Sequence, residues 1–258
     1  MNKVYLVLGF LLLTIVAYSQ DLSWYKKLWY ESGKDTMPYR LLLPDNYDAT
    51  KKYPLIFFLH GVGERGRDNE KQLVHGAKLF LNPAVRKNYP AIVVFPQCPE
   101  TSFWSNVDVQ MEGGKPMFTF KDGGEPSVAM KVLQELLQKI IKEYPINKSQ
   151  VYIGGLSMGG MGTFEIAARN PDLFAAAFPI CGGGNTTTAS RMKKIHWWIF
   201  HGAKDDVVLP ENSQVMVDAL KKAGASVKYT LYPEANHNSW DPAFAEPELL
   251  SWLFAQKK

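Results

Sequence analysis

A five-residue pattern near the middle of the chain constrains the fold more than any other feature. Gly155-x-Ser157-x-Gly159 follows a β-prone apolar run at 151–154 and leads into a helical pattern. On such a sharp strand-to-helix turn a serine hydroxyl is pushed out above the sheet, and the flanking backbones approach so closely that both outer positions must be glycine. The pattern predicts a nucleophilic Ser157. A serine nucleophile also needs a base and an acid from elsewhere in the chain.

The rest of the chain alternates between strand and helix patterns. The apolar runs at 55–59 and 91–95 are typical of strands buried on both faces of a parallel sheet, and helical spacing fills 128–141. Hydrophobic residues make up 46% of the chain and charged residues 21%, which excludes a disordered protein. We predict an α/β fold with a mostly parallel sheet of about eight strands, flanked by helices on both faces. No repeat or second core is visible, so residues 20–258 are predicted to form one domain.

The first 19 residues have the pattern of a secretory signal peptide. Lys3 precedes an apolar stretch at 4–16, and Ala17 and Ser19 place small residues before a cleavage site. A retained membrane anchor is the alternative, but the apolar stretch is short for a full span. We predict cleavage after Ser19 and export to the periplasm or the exterior, with no membrane attachment afterwards.

Charge and metal-ligand spacing exclude several function classes. The net charge of +4 is small and its lysine pairs are scattered, which does not support nucleic-acid binding. The chain has no H-E-x-x-H motif, no paired C-x-x-C and no phosphate-binding P-loop, so neither a metal nor another cofactor is predicted. The sequence leaves the oligomeric state open.

The acid and the base are predicted from chain order. Asp205 and His237 each follow a late strand, so that Ser157, acid and base occur in the order typical of a strand-end catalytic triad. Asp206 is adjacent and is the alternative acid. The spacing His201-Gly-x-x-Asp205 favours Asp205.

Acyl transfer also needs two backbone N–H donors for the oxyanion. Met158 directly follows the nucleophile and is predicted to supply one donor. Val62 lies in the glycine-rich turn after the strand at 55–59 and is predicted to supply the other. Gly61 and Gly63 let this turn approach a ligand closely.

Motifs across most of the chain together resemble a known family. They occupy 39–44, 58–69, 96–99 with Trp104, 154–160, 180–184, 200–205 and 237–240. The chain resembles α/β-hydrolases of the secreted esterase group that includes feruloyl and acetyl-xylan esterases, and most closely the branch called predicted peptidase or phospholipase/carboxylesterase-like. The resemblance implies a serine-hydrolase mechanism with Ser157, Asp205 and His237, and no metal.

The strand order implied by this resemblance bears on the two cysteines. Cys98 and Cys181 follow strands that two other strands should separate, which places the strand ends roughly 14 Å apart. We therefore expect two free, buried thiols.

The substrate is a small-molecule or polysaccharide-linked ester in our first interpretation. Trp104 and Trp240, with Met158, are predicted to line the acyl pocket, and aromatic walls suit a feruloyl group or a sugar face. Feruloyl or acetyl esters of plant polysaccharide are the expected substrates. A serine peptidase of the prolyl-oligopeptidase type is the first alternative, although the chain lacks its propeller. A non-catalytic binding module on the same fold is the second.

Overall fold

The computed structural model describes residues 21–258, and the predicted signal peptide at 1–19 lies outside them. Eight strands form one sheet and two form a separate hairpin. The strands are β1 (Lys26–Ser32), β2 (Asp35–Leu42), β3 (Tyr53–Leu59), β4 (Ile92–Pro96), β5 (Val107–Glu112), β6 (Lys115–Phe120), β7 (Ile146–Leu156), β8 (Ala176–Ile180), β9 (His196–Gly202) and β10 (Val227–Tyr232).

The large sheet has the order β1-β2-β4-β3-β7-β8-β9-β10. β1 pairs with β2, and β2 with β4, in antiparallel fashion, whereas every pair from β4 to β10 is parallel. The predicted mostly parallel sheet is therefore confirmed. Because parallel strands end at the same edge, the turns after β3, β7, β8, β9 and β10 lie along one edge of the sheet.

Helices cover both faces of this sheet, as predicted. They are α1 (Ala77–Leu81), α2 (Pro83–Asn88), α3 (Val128–Glu143), α4 (Met158–Arg169), α5 (Glu211–Lys222), α6 (Trp240–Phe244) and α7 (Leu249–Ala255). The side chains of β3 alternate between two cores: Phe57 packs into the core shared with α3, α4 and α5, and Phe58 into the core shared with α1, α6 and α7. This two-sided burial explains the continuous apolar run of β3.

The segment between β3 and β4 differs from the sequence prediction. The pattern around residues 73–81 predicts one helix, but the structure has a 3-10 turn followed by α1 and α2. Gly76 has φ 80°, a left-handed conformation that precedes α1, and Asn82 caps α2 through Ala84 N–H. Gly76 therefore interrupts the expected helix, and Asn82 separates α1 from α2, which lies beyond the expected range.

The two cysteines agree with the prediction. Cys98 and Cys181 are buried and free, and β3 and β7 separate their strands in the sheet. Burial raises the pKa of the Cys98 thiol to about 12. Within residues 21–258, no helix has the length and apolar character that crossing a bilayer requires.

Candidate active site

The turn between β7 and α4 is strained and tightly packed. Ser157 has φ 54° and ψ −118°, which is rare for a residue with a side chain. A side-chain carbon on Gly155 would overlap the carbonyl of Gly159, and one on Gly159 would overlap the carbonyl of Leu59. The turn is held by a 2.9 Å hydrogen bond from Ser157 N–H to the carbonyl oxygen of Ile180. Glycine is thus required on both sides of Ser157, as the sequence pattern predicts.

Ser157 lies at the N-terminus of α4 but does not cap it through its side chain. Its Oγ instead lies 2.9 Å from His237 Nε2, and His237 Nδ1 lies 2.8 Å from Asp205 Oδ2. A carboxylate oxygen can only accept, so Nδ1 carries the proton and Nε2 presents its lone pair to the serine hydroxyl. The structure therefore brings His237 together with Asp205, which lies 32 positions earlier in the sequence, and with Ser157, which lies 80 positions earlier.

Asp205 is almost completely buried and accepts four hydrogen bonds. Oδ1 accepts from the N–H groups of Val207 and Val208, while Oδ2 accepts from His237 and His201. Burial alone would raise its pKa, but the hydrogen bonds from the two histidines hold the pKa well below its ordinary value. Asp205 is therefore ionised at neutral pH. The adjacent Asp206 is exposed and makes none of these contacts.

The turn after β3 lies against the serine. A side-chain carbon on Gly61 would be 3.7 Å from Ser157 Cβ. The carbonyl of Gly61 accepts from His60 Nδ1 at 2.6 Å, and in a trans peptide the N–H of Val62 points away from that carbonyl. Among residues 21–258, the N–H groups of Val62 and Met158 have no protein acceptor. Neither predicted oxyanion donor is thus engaged by another group within residues 21–258, and their role stays a prediction.

His60 holds this turn in place, a role that the sequence prediction missed. Its Nε2 accepts from Cys98 N–H at 2.9 Å, which leaves Nδ1 as the donor to Gly61. Burial lowers the pKa of His60 to about 4, so the ring is neutral. Its own carbonyl accepts from the indole N–H of Trp104 at 3.2 Å.

Comparison with known proteins identifies the family. The family model described as "Putative esterase" matches residues 31–245. This chain belongs to that esterase family. Membership confirms the resemblance to carboxylic ester hydrolases of the α/β-hydrolase fold.

Three similar proteins illustrate the relationship. A bifunctional acetylxylan esterase/xylanase of Neocallimastix patriciarum is 32% identical over 103 residues, covering 40% of this chain and 15% of that protein. A protein of Aspergillus terreus named "Probable feruloyl esterase C" is 25% identical over 170 residues, covering 66% of this chain and 55% of that protein. The crystal structure of a thermostable esterase is 36% identical with a TM-score of 0.82, covering 92% of this chain and 64% of that one. The chain thus spans less than two thirds of each of these proteins.

The two tryptophans predicted for the esterase pocket differ in position. Trp104 has no exposed surface and packs in the core against Gly162 of α4, so the prediction that it lines the pocket is wrong. Its indole N–H donates to the carbonyl oxygen of His60, and this hydrogen bond explains why the ring of Trp104 turns inward. Trp240 is half-buried, and its ring lies 5.4 Å from that of His237 at an angle of 85°. It borders the esterase site on the base side.

His201 is a second buried histidine on the same carboxylate. Its Nε2 lies 3.1 Å from Asp205 Oδ2 and 2.8 Å from the carbonyl of Val208, and Nδ1 lies 2.7 Å from Ser213 Oγ. Because both contacts of Nε2 are acceptors, this nitrogen donates to Asp205. In the sequence, only the spacing between His201 and Asp205 hinted at this contact.

The site also contains the one group of possible metal ligands found among residues 21–258. Cys181 Sγ lies with ligand atoms of Asp205 and His237 within 4.8 Å of one another. Asp205 and His237 are already hydrogen-bonded to each other, and burial raises the pKa of the Cys181 thiol. A protonated thiol is a poor ligand, so the donor set suits a hydrogen-bonded triad better than a metal.

Proposed function

We propose that this chain is an exported serine carboxylic ester hydrolase that acts on feruloyl or acetyl esters of plant polysaccharide. The observation that carries the proposal is the continuous hydrogen-bond path from Ser157 through His237 to Asp205. Residues 20–258 form its catalytic domain, and residues 1–19 direct its export. The acyl groups follow from the resemblance and from the names of the feruloyl and acetylxylan esterase relatives.

In the proposed acylation step, Ser157 Oγ attacks the ester carbonyl carbon while His237 Nε2 takes the hydroxyl proton. Negative charge develops on the carbonyl oxygen, where the N–H groups of Val62 and Met158 stabilise it. Asp205 stabilises the imidazolium that forms and keeps its Nδ1 proton in place. The carbon–oxygen bond to the alcohol then breaks, and His237 gives its proton to the leaving oxygen.

In the proposed deacylation step, water replaces the alcohol. His237 takes a proton from the water, whose oxygen attacks the acyl carbon of the ester on Ser157. The same two N–H groups stabilise the oxyanion. Collapse releases the carboxylic acid, and the proton on His237 returns to Ser157 Oγ.

The test is hydrolysis of p-nitrophenyl acetate, p-nitrophenyl butyrate and methyl ferulate by residues 20–258. Ser157→Ala is the matched control because it removes only the hydroxyl. We expect hydrolysis by the wild-type protein and a loss of about 10⁴-fold or more in kcat for the variant. The ratio of ferulate to acetate hydrolysis measures which acyl group the pocket takes.

Two results would contradict the proposal. Equal activity of the wild type and Ser157→Ala would remove Ser157 from the mechanism. Inactivity on all three esters, combined with Ser157-dependent hydrolysis of peptide anilides, would make the protein a peptidase instead.

A further inference from the structure

Three half-buried side chains, those of Glu64, His75 and Trp240, lie between the oxyanion turn and His237. We name them the alcohol-side rim. Glu64 Oε1 lies 3.8 Å from His75 Nε2, and the ring of His75 lies 5.1 Å from that of Trp240. Trp240 in turn contacts His237. The rim therefore connects the turn after β3 with His237 through contacts that do not include Ser157.

The rim lies close to the reacting atoms. A side-chain carbon on Gly61 would be 3.1 Å from Glu64 Oε2 and 3.7 Å from Ser157 Cβ, so the carboxylate and the serine flank the same glycine. Glu64 follows the oxyanion donor Val62 by two residues. A group bound to Glu64 would thus lie next to the ester carbonyl.

The polar atoms of the rim have unused hydrogen-bonding capacity. The Glu64 side chain is only 15% exposed, and its contact with His75 is too long for a hydrogen bond. Among residues 21–258, no donor reaches the Glu64 carboxylate and no group pairs with the ring nitrogens of His75. The carboxylate oxygens of Glu64 are not among the buried unpaired atoms of residues 21–258, so solvent reaches them and they are available for hydroxyl groups of a ligand.

The chemistry of the reaction decides which half of the substrate lies here. His237 must give its proton to the leaving alcohol oxygen, so the alcohol departs on the His237 side. Trp240 and His75 are on that side. An indole face packs on the C–H face of a sugar ring, while a carboxylate accepts from its hydroxyl groups and an imidazole either donates or accepts.

We infer that Glu64, His75 and Trp240 form a binding site for the alcohol half of the substrate and select an uncharged, hydroxyl-rich alcohol such as a sugar. This inference rests on the proposed function. Arg65 and Arg67 follow Glu64 within three residues and offset its negative charge, which makes a cationic alcohol less suitable. The site would supply alcohol specificity, which neither the triad nor the oxyanion donors can provide.

The experiment compares esters that share an acetyl group and differ only in the alcohol: p-nitrophenyl acetate, a mono-O-acetylated methyl xyloside and acetylcholine. All three form the same acetyl-enzyme, so differences in kcat/KM report the alcohol alone. Glu64→Leu removes the acceptor with little change in volume, and His75→Phe removes the ring nitrogens. Glu70→Leu is the matched control, because Glu70 lies in the same loop and pairs with the exposed Lys27.

We expect Glu64→Leu to reduce kcat/KM on the acetylated xyloside about 10- to 100-fold, as for loss of hydrogen bonds to a charged group. His75→Phe should act in the same direction. Hydrolysis of p-nitrophenyl acetate, which has no hydroxyl group on the alcohol, should change less than about threefold in both variants. Glu70→Leu should change neither substrate.

Three results would overturn the inference. An equal loss on both esters would mean that Glu64 positions the oxyanion turn. Unchanged hydrolysis of the xyloside would mean that Glu64 does not contact the alcohol. A preference for acetylcholine that Glu64→Leu abolishes would assign the site to a cation.

A binding measurement separates failure of the inference from failure of the proposed function. Saturation-transfer NMR of methyl xyloside with the Ser157→Ala protein needs no turnover. A signal that Glu64→Leu removes and Glu70→Leu retains would support the rim even without hydrolysis. No signal in any of these proteins would refute it.

Discussion

Two regions of the site differ in how completely their polar groups are paired. The catalytic floor, namely Ser157, His237, Asp205, His201 and the proposed oxyanion turn at 60–62, is held by short hydrogen bonds between its side chains and backbone. The alcohol-side rim is half-buried and its polar atoms have no hydrogen-bond partners among residues 21–258. Side chains fixed by hydrogen bonds suit a fixed reaction geometry, whereas side chains with available donors and acceptors suit recognition. Changes in the floor should therefore affect every substrate, and changes in the rim only some.

The largest effect should come from the acid in the floor. Asp205→Asn places an amide N–H₂ group opposite two histidine donors, so His237 loses its orientation. We expect kcat to fall by about 10⁴-fold for every ester, as seen when such an acid is replaced by its amide elsewhere. Asp206→Asn is the matched control and should stay within about twofold, because Asp206 is exposed. A large loss for Asp206→Asn with normal Asp205→Asn kinetics would reassign the acid.

The next effect should come from the proposed oxyanion donor, Val62. Val62 begins a 3-10 helix after Gly61, whose φ of −78° and ψ of −177° suit a residue before proline. Val62→Pro therefore removes the N–H with little strain, and we expect kcat to fall about 100-fold with a small change in KM. Val62→Ala retains the N–H and should stay within about threefold. Equal effects of the two substitutions would show that the side chain, and not the N–H, matters.

Much of the floor could be predicted because its signals are local. The glycines around Ser157 are required by the turn itself, and Asp205 and His237 each follow a strand in the expected order. Of the rim, Trp240 was predicted, but Glu64 and His75 were missed because the contact between His75 and Trp240 spans 165 positions. His201 was missed although it lies only four residues from Asp205, because the sequence does not show the direction of its side chain. Trp104 was placed wrongly because its position in an irregular segment does not reveal the side to which its ring turns.

A smaller effect concerns stability and pH. The hydrogen bonds that hold the pKa of Asp205 below its ordinary value stabilise the fold above about pH 5, and this contribution is lost as pH falls towards the folded-state pKa. We expect the wild type to lose about 1 kcal/mol more unfolding free energy than Asp205→Asn between pH 6 and pH 3, because an unfolded aspartate titrates at about pH 4 and the loss is only partly complete at pH 3. Urea unfolding at both pH values measures this difference. An equal loss of unfolding free energy in the two proteins would mean that ionisation of Asp205 does not contribute to the pH dependence of stability.

The smallest effect should distinguish the two tryptophans. Trp104→Phe removes the hydrogen bond to the carbonyl of His60 and some core volume, so we expect a loss of about 1 to 2 kcal/mol in unfolding free energy. Its KM for different alcohols should be unchanged. Trp240→Phe should change the KM values for sugar esters and cause little loss of unfolding free energy. A change of alcohol preference in Trp104→Phe would return that residue to the pocket.

The central claim is that Ser157 is activated by His237 and Asp205. The most direct measurement is reaction of the protein with a fluorophosphonate, followed by intact mass and peptide mapping. We predict one adduct, on Ser157, that forms much more slowly in Asp205→Asn and is absent from Ser157→Ala. An adduct on another residue, or ester hydrolysis that continues after Ser157 is fully labelled, would contradict the account.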